Sequence, residues 1–375
     1  MTLPHFFLDI GTLYASQPSG IPALVRALGR HLLREYPDHA VCCHDGRVLA
    51  PAVATDLLAQ DHGAEMPYLD VLDNIYCGEV TTERRRRGGR SAAIFPLARP
   101  GIRQFDHETQ LICDLTPVLF PDWHTPATCA TFARMLATLA ANNLIVTISA
   151  SARADLLAHT QLPAETILIS HPGLASAEGL PDLAALTAGA SVEPFLLVLG
   201  TIEPRKNIDG ILRFLAAHPG VLDQLVLVVA GAHGWGPTLA EMVARYRLPA
   251  SRIVHTGFVS EAEKQVLLAT ATMLLFPSHY EGFGLPVVEA LAAGCPVLAS
   301  RAGGIPEAGG DAVTYCQPGD DADFARAFFS LQQQLGSAGD RAGRADRGRR
   351  HAAAFTADRF AATIVSRITA DLARQ

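Results

Sequence analysis

Residues 273–304 show the clearest alternation of secondary structure in the chain, and they limit the fold more than any other segment. They read in order as a buried strand (Met273–Phe276), a polar, glycine-bearing loop (Pro277–Gly284), a helix with Pro286 in its first turn and Gly294 at its end, and a second strand (Pro296–Ala299). This order predicts a βαβ unit with two parallel strands. Open parallel sheets bind ligands at the carboxyl ends of their strands, where both loops of this unit lie.

Two carboxylates stand out in this segment. Glu281 lies in the first loop beside Tyr280 and the run Gly282–Gly284, where the backbone can approach a ligand closely. Glu289 follows eight positions later in the first turns of the helix. Taken alone, Glu289 can simply compensate the positive end of the helix dipole. We expect the two carboxylates to face one cleft.

The spacing of these two residues within EGFGLPVVEALAAGCPVLAS resembles the E-x7-E signature of the retaining GT-B glycosyltransferases of family 4. The resemblance implies an α/β protein of two Rossmann-like domains facing each other across a cleft. It divides the chain into an acceptor-side domain (1–180), a nucleotide-sugar-binding domain (181–354) and a C-terminal helix (355–375) that packs back on the first domain. Residues 176–193, rich in Ala, Gly and Pro, are the predicted linker.

Composition agrees with such a protein and excludes other classes. A chain of 375 residues with 49% apolar residues is long enough for two buried cores. Its net charge of −7 argues against general nucleic-acid binding, which needs a basic face. Seven cysteines without a C-x-x-C pair predict neither a zinc site nor a disulfide framework. We therefore expect a cytoplasmic protein, associated with membranes only at the surface, on the inner face of the cytoplasmic membrane.

Arg205 and Lys206 are the candidate cations for a nucleotide diphosphate. Cleavage of a sugar–diphosphate bond leaves negative charge on the departing nucleotide, which nearby cations stabilise. An exposed turn is the alternative reading, but Glu203–Asn207 (EPRKN) matches the family motif at every residue. The acidic residues 320–323 read as a helix N-cap rather than a metal-binding D-x-D cluster. We therefore expect no cofactor and no required metal, with the nucleotide sugar as co-substrate.

The family resemblance assigns further donor contacts. It implies that Glu289 holds the ribose hydroxyls, that Glu281 holds the sugar hydroxyls and that the backbone of Val259 meets the base. The other implied donor-binding residues are Gly20, Gly200, Thr201, Gly231, Gly282, Phe283, Gly284 and Leu285. Gly20 lies in the segment Ser19–Ile21, which resembles the end of the family's glycine-rich loop, although one glycine before a helix is most often simple loop geometry.

The first half departs from the family at one candidate catalytic position. Many relatives carry His-Asp at the strand end where this chain has Cys113 and Asp114. Asp114 is retained as a candidate catalytic residue. His124, ten residues after Asp114, is the candidate replacement for the missing histidine, since histidine is the usual proton carrier near neutral pH. The alternative is that His124 packs in its loop beside Trp123.

The run Arg84–Arg90 is the one dense basic segment. We weigh a solvated loop against contact with anionic lipid or with a diphosphate-linked acceptor.

Taken together, the resemblance predicts a retaining glycosyltransferase that uses GDP-mannose and a saccharide or lipid-diphosphate-linked acceptor in bacterial polysaccharide synthesis. UDP-sugar and dTDP-sugar donors stay open. The rival classes are a sugar-nucleotide 2-epimerase and a non-catalytic nucleotide-sugar binder.

Overall fold

The computed structural model describes residues 3–14, 20–44, 47–59, 79–97, 99, 102–175 and 193–375. The chain divides into two compact units. The first contains residues 1–175 together with the C-terminal segment Thr356–Gln375, and the second contains Ser176–Phe355. Of the predicted linker, residues 176–192 lie outside the described residues, as does Ser19 of the predicted donor segment Ser19–Ile21.

The first unit is built on one seven-stranded sheet. Its strands are β1 (His5–Asp9), β2 (Ala40–His44), β3 (Arg47–Val48), β4 (Ser91–Phe95), β5 (His107–Ile112), β6 (Leu144–Thr147) and β7 (Ile167–Ile169). They lie in the order β3-β2-β1-β4-β5-β6-β7, and every pairing is parallel except that of β2 with β3. β4 and β5 are buried along their whole length, as expected for a sheet with helices on both faces.

The helices of the first unit correct two expectations from the sequence. They are α1 (Gly20–Glu35), α2 (Pro51–Ala59), α3 (Glu79–Arg87), α4 (Thr116–Leu119), α5 (Pro126–Ala137) and α6 (Ala150–His159). The sequence predicts a helix from about Ala127 to Asn142, but α5 ends at Ala137 and a 3-10 turn (Leu139–Ala141) follows. The solvated loop considered for the basic run is also wrong, because Arg84–Arg87 lie on α3. Ser149 caps α6 by accepting a hydrogen bond from the Ala152 N–H.

The second unit is built on a wholly parallel six-stranded sheet. Its strands are β8 (Phe195–Leu199), β9 (Val226–Ala230), β10 (Ile253–Gly257), β11 (Met273–Phe276), β12 (Val297–Ser300) and β13 (Thr314–Cys316). Their order is β10-β9-β8-β11-β12-β13, the doubly wound order typical of Rossmann-like folds. The predicted strand Met273–Phe276 is confirmed at both ends, and Gly294 ends the following helix in the left-handed conformation.

Helices on both faces complete the second unit. They are α7 (Ile208–Ala217), α8 (Gly220–Gln224), α9 (Leu239–Arg245), α10 (Glu261–Thr270), α11 (Leu285–Ala293), α12 (Ile305–Gly309), α13 (Asp321–Gln334) and α14 (Ala338–Ala352). Asp320 caps α13 as predicted, accepting from the Asp323 N–H. Within the described part of the chain, no helix combines the length and the hydropathy needed to cross a bilayer.

The last helix, α15 (Ala357–Arg374), is part of the first unit. It packs on α1 and against β5, with Ile364 and Ile368 fully buried. At its C-terminal end, Asp371 lies 3.4 Å from Nε2 of His107 on β5. Burial lowers the pKa of His107, although Asp371 opposes this shift. Apolar packing therefore holds most of α15 in place, and polar contacts to the rest of the first unit add to it, among them Arg367 to the Glu165 carbonyl and Arg90 to the Leu372 carbonyl.

We expect Ile368→Ala to lower the free energy of unfolding of the first unit by about 2–5 kcal/mol, because the change leaves a cavity at a site with 0% exposure. Urea unfolding followed by circular dichroism measures this. Ser366→Ala, on the exposed side of the same helix, is the control and should change stability by less than about 0.5 kcal/mol. Equal effects of the two changes would show that the buried face of α15 does not anchor it.

Candidate functional site

The candidate site lies where the strand order of the second sheet reverses. β8 and β11 are neighbours in this sheet, although the paired residues Leu196 and Met273 are 77 positions apart in the sequence. The chain leaves β8 toward β9 on one side and leaves β11 toward β12 on the other. Such reversals open a crevice between two loops, and ligands of open α/β sheets bind there.

The loop after β8 is held in shape by Asn207. Pro204–Lys206 form a 3-10 turn that ends at Asn207, which adopts the left-handed conformation with φ 54°. The Asn207 side chain accepts a hydrogen bond from the Gly210 N–H, which caps α7. Its amide nitrogen donates to the Pro277 carbonyl at 3.2 Å. Asn207 therefore ties the loop after β8 to the loop after β11.

An ion-pair network joins the same two loops. Nη1 of Arg205 donates to one Glu281 oxygen at 2.5 Å, and Nζ of Lys206 donates to the other at 2.7 Å. Nη2 of Arg205 also donates to Glu203 at 2.7 Å. The side chains of Arg205, Lys206 and Glu281 are only 15%, 13% and 10% exposed. Two cations and two carboxylates thus form a nearly buried, electrically balanced cluster.

The two carboxylates of this cluster have opposite pKa shifts. Burial raises the pKa of Glu281, but the charges of Arg205 and Lys206 outweigh burial and hold it at about 2. At Glu203 burial prevails over the same two cations and raises the pKa above its ordinary value, and the nearby Glu281 adds to this. Glu281 is therefore fixed as a carboxylate at any physiological pH.

The two cations are not equally available to a ligand. Arg205 donates to Glu203, to Glu281 and to the Tyr280 carbonyl. Lys206 uses one of its three N–H hydrogens for Glu281, and Nζ lies 5.1 Å from the centroid of the Phe276 ring. No other hydrogen bond from Lys206 occurs within the described residues. Lys206 can therefore bind a phosphate while keeping Glu281, whereas Arg205 mainly orients the carboxylates.

Two glycines allow the backbone at this site to pack closely. A Cβ placed on Gly231, in the loop after β9, would lie 2.0 Å from the Gly200 carbonyl oxygen. A Cβ placed on Gly303, after β12, would lie 2.2 Å from the Glu281 carbonyl oxygen, and its φ of 55° also disfavours other residues. Larger residues would displace the loops that carry Lys206 and Glu281.

The start of α11 offers backbone N–H groups beside the network. Gly284 occupies the N-cap position with φ 122° and has no side chain to cap the helix. The first N–H groups of a helix lack partners within the helix, so the start of α11 can bind anions or hydroxyl oxygens. Phe283 is buried and its ring lies 5.4 Å from that of Phe355. Its side chain therefore anchors the loop in the core of the second unit.

Glu289 belongs to a second ion-pair group. Lys264, in the first turn of α10, donates to Glu289 at 2.6 Å and also lies 2.7 Å from Glu261. Neither Lys264 nor Glu261 was predicted from the sequence, because no motif includes them. Val259 lies in the loop between β10 and α10.

The structure thus gathers most of the predicted donor-binding residues in the second unit. The loops after β8, β9 and β11, with the start of α11, carry Gly200, Thr201, Arg205, Lys206, Gly231, Glu281, Gly282, Phe283, Gly284 and Leu285. Glu203 is a member of the network that the sequence-based prediction omitted, although it is the first residue of the matched EPRKN motif. Its part in the network could have been suspected from that motif alone.

The remaining predicted site residues lie in the first unit. Gly20 is the exposed first residue of α1. Asp114 starts α4 by accepting hydrogen bonds from both the N–H and the hydroxyl of Thr116. His124 is half-buried at the end of a 3-10 turn (Pro121–Trp123). These three residues occupy separate elements, and the structure gives Asp114 a local structural role.

The basic run is partly neutralised within the first unit. Arg86 and Arg87 both pair with Glu83, and Arg87 also donates to the Asp38 carbonyl. The Arg84 guanidinium lies 6.0 Å from the centroid of the Phe105 ring. Arg85 is exposed. The free positive charge at this surface is therefore smaller than four consecutive arginines suggest.

We expect Glu281 to contribute to the pH dependence of stability on the acid side. Its pKa falls from 4.5 to about 2 on folding, so its contribution is complete above pH 4.5 and is lost as the pH falls toward 2. Between pH 5 and pH 3 the free energy of unfolding should fall by about 1–2 kcal/mol more in the wild type than in Glu281→Gln. Chemical denaturation at the two pH values measures this difference, and parallel curves for the two proteins would contradict it.

Residues 188–334 match the family Glycosyl transferases group 1. The O-antigen chain mannosyltransferase B of Escherichia coli is 32% identical over 198 residues, which are 50% of this chain and 51% of that protein. The chain therefore matches about half the length of this curated relative.

Two solved structures share the fold. WaaG, a glycosyltransferase involved in lipopolysaccharide biosynthesis, superposes with a TM-score of 0.68 at 17% identity, covering 97% of this chain and 99% of WaaG. HepE from Anabaena, in complex with UDP and glucose, superposes with a TM-score of 0.66 at 17% identity, covering 98% of this chain and 100% of HepE. The predicted fold class is confirmed by these similarities together with the two doubly wound sheets. The chain carries a glycosyl transferases group 1 domain at residues 188–334, on a fold of the GT-B type.

Proposed function

We propose that this protein is a retaining glycosyltransferase that moves mannose from GDP-mannose to a saccharide or lipid-linked oligosaccharide acceptor in polysaccharide synthesis. The observation that carries the proposal is the network in which Arg205 and Lys206 share Glu281 at the carboxyl ends of β8 and β11. Cations at this position can receive the charge that develops on a departing nucleoside diphosphate. The carboxylate between them can accept hydrogen bonds from sugar hydroxyls.

The properties of Glu281 support transfer on one face of the sugar. A double displacement needs a carboxylate that is free to attack the sugar carbon. Both oxygens of Glu281 accept charge-assisted hydrogen bonds, and its pKa of about 2 makes it a weak nucleophile. The proposed reaction therefore breaks the bond from the sugar carbon to the diphosphate oxygen and forms the bond to the acceptor oxygen on the same face. The acceptor proton passes to the departing phosphate.

The choice of donor rests on similarity to a mannosyltransferase. The Escherichia coli relative is a mannosyltransferase by name, which supports mannose as the sugar and GDP-mannose as the donor. UDP is the specific alternative, because HepE, which shares the fold, was crystallised with UDP and glucose. A thermal-shift screen with GDP, UDP, dTDP and ADP distinguishes the donors, since a ligand that binds only the native state raises the melting temperature.

Product analysis separates the rival activities. A transferase consumes GDP-mannose and forms a new glycosidic bond only when a saccharide acceptor is present. A 2-epimerase changes the sugar nucleotide without an acceptor, and a non-catalytic binder does neither. For the transferase, proton NMR of the product should show the anomeric configuration of the donor. Activity that persists in excess EDTA supports independence from a divalent metal, whereas loss that Mg²⁺ or Mn²⁺ restores would contradict it.

We expect Lys206→Ala to lower kcat/KM by about 10²–10³, because it removes a cation that stabilises the leaving diphosphate. The change should leave the folded state populated, which circular dichroism verifies. Arg326→Ala is the control, since Arg326 forms an exposed ion pair with Asp323 elsewhere in the second unit. Wild-type kinetics for Lys206→Ala would refute the assigned role of this lysine.

We also propose that α3 brings the protein to anionic membrane surfaces. Each accessible cation near such a surface contributes about 1 kcal/mol to binding. Arg85 and Arg86 are the exposed arginines of the helix, so Arg85→Ser with Arg86→Ser should weaken binding to vesicles that contain phosphatidylglycerol by roughly thirtyfold. Sedimentation of vesicles measures this binding. A control pair in the second unit, Arg347→Ser with Arg350→Ser, should retain it, and equal loss in both variants would show only a general charge effect.

A further inference from the structure

A half-buried lysine that no sequence motif contains connects two helix starts in the second unit. Nζ of Lys264 donates to Oε1 of Glu289 at 2.6 Å and lies 2.7 Å from Oε2 of Glu261. The side chain of Lys264 is 20% exposed and that of Glu289 is 16% exposed, so the contact is largely shielded from solvent. Such shielding makes the contact stronger and more directional than a surface ion pair.

The contact joins two neighbouring helices of the second unit. α10 crosses from β10 to β11, which β9 and β8 separate in the sheet, and α11 follows β11. Lys264 and Glu289 lie on these two helices, which pack against each other. The contact therefore links the loop that carries Val259, between β10 and α10, to the helix that begins at Gly284. These are two of the elements to which the proposed donor site is assigned.

The contact also determines which part of Glu289 a ligand can use. Oε1 of Glu289 accepts the hydrogen bond from Lys264. The hydrogen bonds within the described parts of the chain leave Oε2 of Glu289 unused. Burial lowers the pKa of Lys264, but the charges of Glu289 and Glu261 outweigh burial and raise it, so the lysine stays charged. Glu289 is thus a carboxylate with one fixed oxygen and one open oxygen, a suitable acceptor for a hydroxyl donor.

We infer that Lys264 is a positioning residue for the ribose of the nucleotide-sugar donor, which it serves by orienting Glu289 toward the ribose hydroxyls. The inference rests on the proposed function and extends it to a residue outside the family motif. Without the Lys264 ammonium group, the carboxylates of Glu261 and Glu289 would face each other with no cation between them. Their mutual repulsion would turn Glu289 away from the ribose. The expected consequence is a specific loss of ribose recognition.

A purely structural tie between α10 and α11 would behave differently. Loss of such a tie would weaken the binding of any nucleotide to a similar extent. A positioning role predicts instead that only ligands with the intact ribose lose affinity. The ratio of the dissociation constants of a 2′-deoxynucleotide and its parent ribonucleotide separates the two roles.

Isothermal titration calorimetry with GDP, 2′-deoxy-GDP, UDP and 2′-deoxy-UDP provides this ratio. For the base that binds the wild type, the deoxynucleotide should bind about tenfold more weakly, because a hydrogen bond to a charged group is lost. In Lys264→Met the dissociation constant of the deoxynucleotide should exceed that of the ribonucleotide by less than about threefold. The affinity for the deoxynucleotide itself should not change. Lys264→Arg should restore most of the discrimination, and Glu289→Gln should reduce it as Lys264→Met does.

Arg252→Met is the matched control. Arg252 lies in the same unit just before β10, is 25% exposed and pairs with Glu193 at 2.9 Å, so its loss removes a comparable ion pair from the other end of that strand. This variant should keep the wild-type ratio. If Lys264→Met does not fold, the double change Lys264→Gln with Glu261→Gln removes the cation without leaving two unpaired carboxylates side by side. The ratio should still fall, because the charged hydrogen bond that holds Oε1 of Glu289 is lost.

The outcomes distinguish this inference from the function on which it rests. A wild-type ratio in the folded Lys264 variants, or equal weakening of both nucleotides, would overturn the positioning role and leave the proposed transferase intact. If none of the four nucleotides binds the wild type, the proposed function itself fails.

Discussion

The shared carboxylate of Glu281 is the interaction on which the candidate site depends. It binds both cations of the loop after β8, although it belongs to the loop after β11. Both loops leave the sheet at the reversal of strand order, so the topology creates a gap there and the ion pairs hold its two sides at a fixed distance. Stability alone is a poor explanation for this arrangement, since buried ion pairs are often no more stabilising than apolar residues of equal volume.

The balance of charge in the network also limits how an anion can bind. Two cations face two carboxylates, so a diphosphate meets no net positive charge from these four side chains. Binding must therefore use hydrogen bonds that the network has not consumed. Lys206 has N–H hydrogens left for this purpose, and the uncapped start of α11 adds backbone N–H groups. The network can thus select among anionic ligands by the geometry of their hydrogen bonds rather than by charge alone.

The second unit could be predicted well from sequence because its pattern is local. The strand ending at Phe276, the loop with Glu281 and the helix ending at Gly294 follow from apolar runs, glycine positions and a proline in the first helical turn. Arg205 and Lys206 could be singled out because the EPRKN segment lies between a strand and a helix. That they share one carboxylate with Glu281 could not be read from the sequence, because the pairing of β8 with β11 is a long-range contact.

Lys264 was missed because its partner on α11 lies far along the chain. Lys264 and Glu289 are 25 positions apart on different helices, and no local pattern reports their contact. The basic run shows the opposite error, because four consecutive arginines resemble a solvated loop by composition. In the structure Glu83 pairs with two of them along one helix, at the i,i+3 and i,i+4 spacings. Charge density in a sequence is thus a weak guide to the charge that a surface exposes.

In the first unit, Cys113 and Asp114 occupy the strand end where many members of the resembled family carry His-Asp. The chemistry available at this strand end therefore differs from that of those proteins. Burial and the neighbouring Asp114 raise the pKa of the Cys113 thiol to about 12. The thiol is therefore neutral at physiological pH and can act neither as a proton acceptor nor as a nucleophile. Asp114 is occupied in holding Thr116 at the start of α4. The raised pKa of Cys113 and the hydrogen bonds of Asp114 thus argue against a proton carrier at this strand end, and the proposed function assigns charge stabilisation to Lys206 instead.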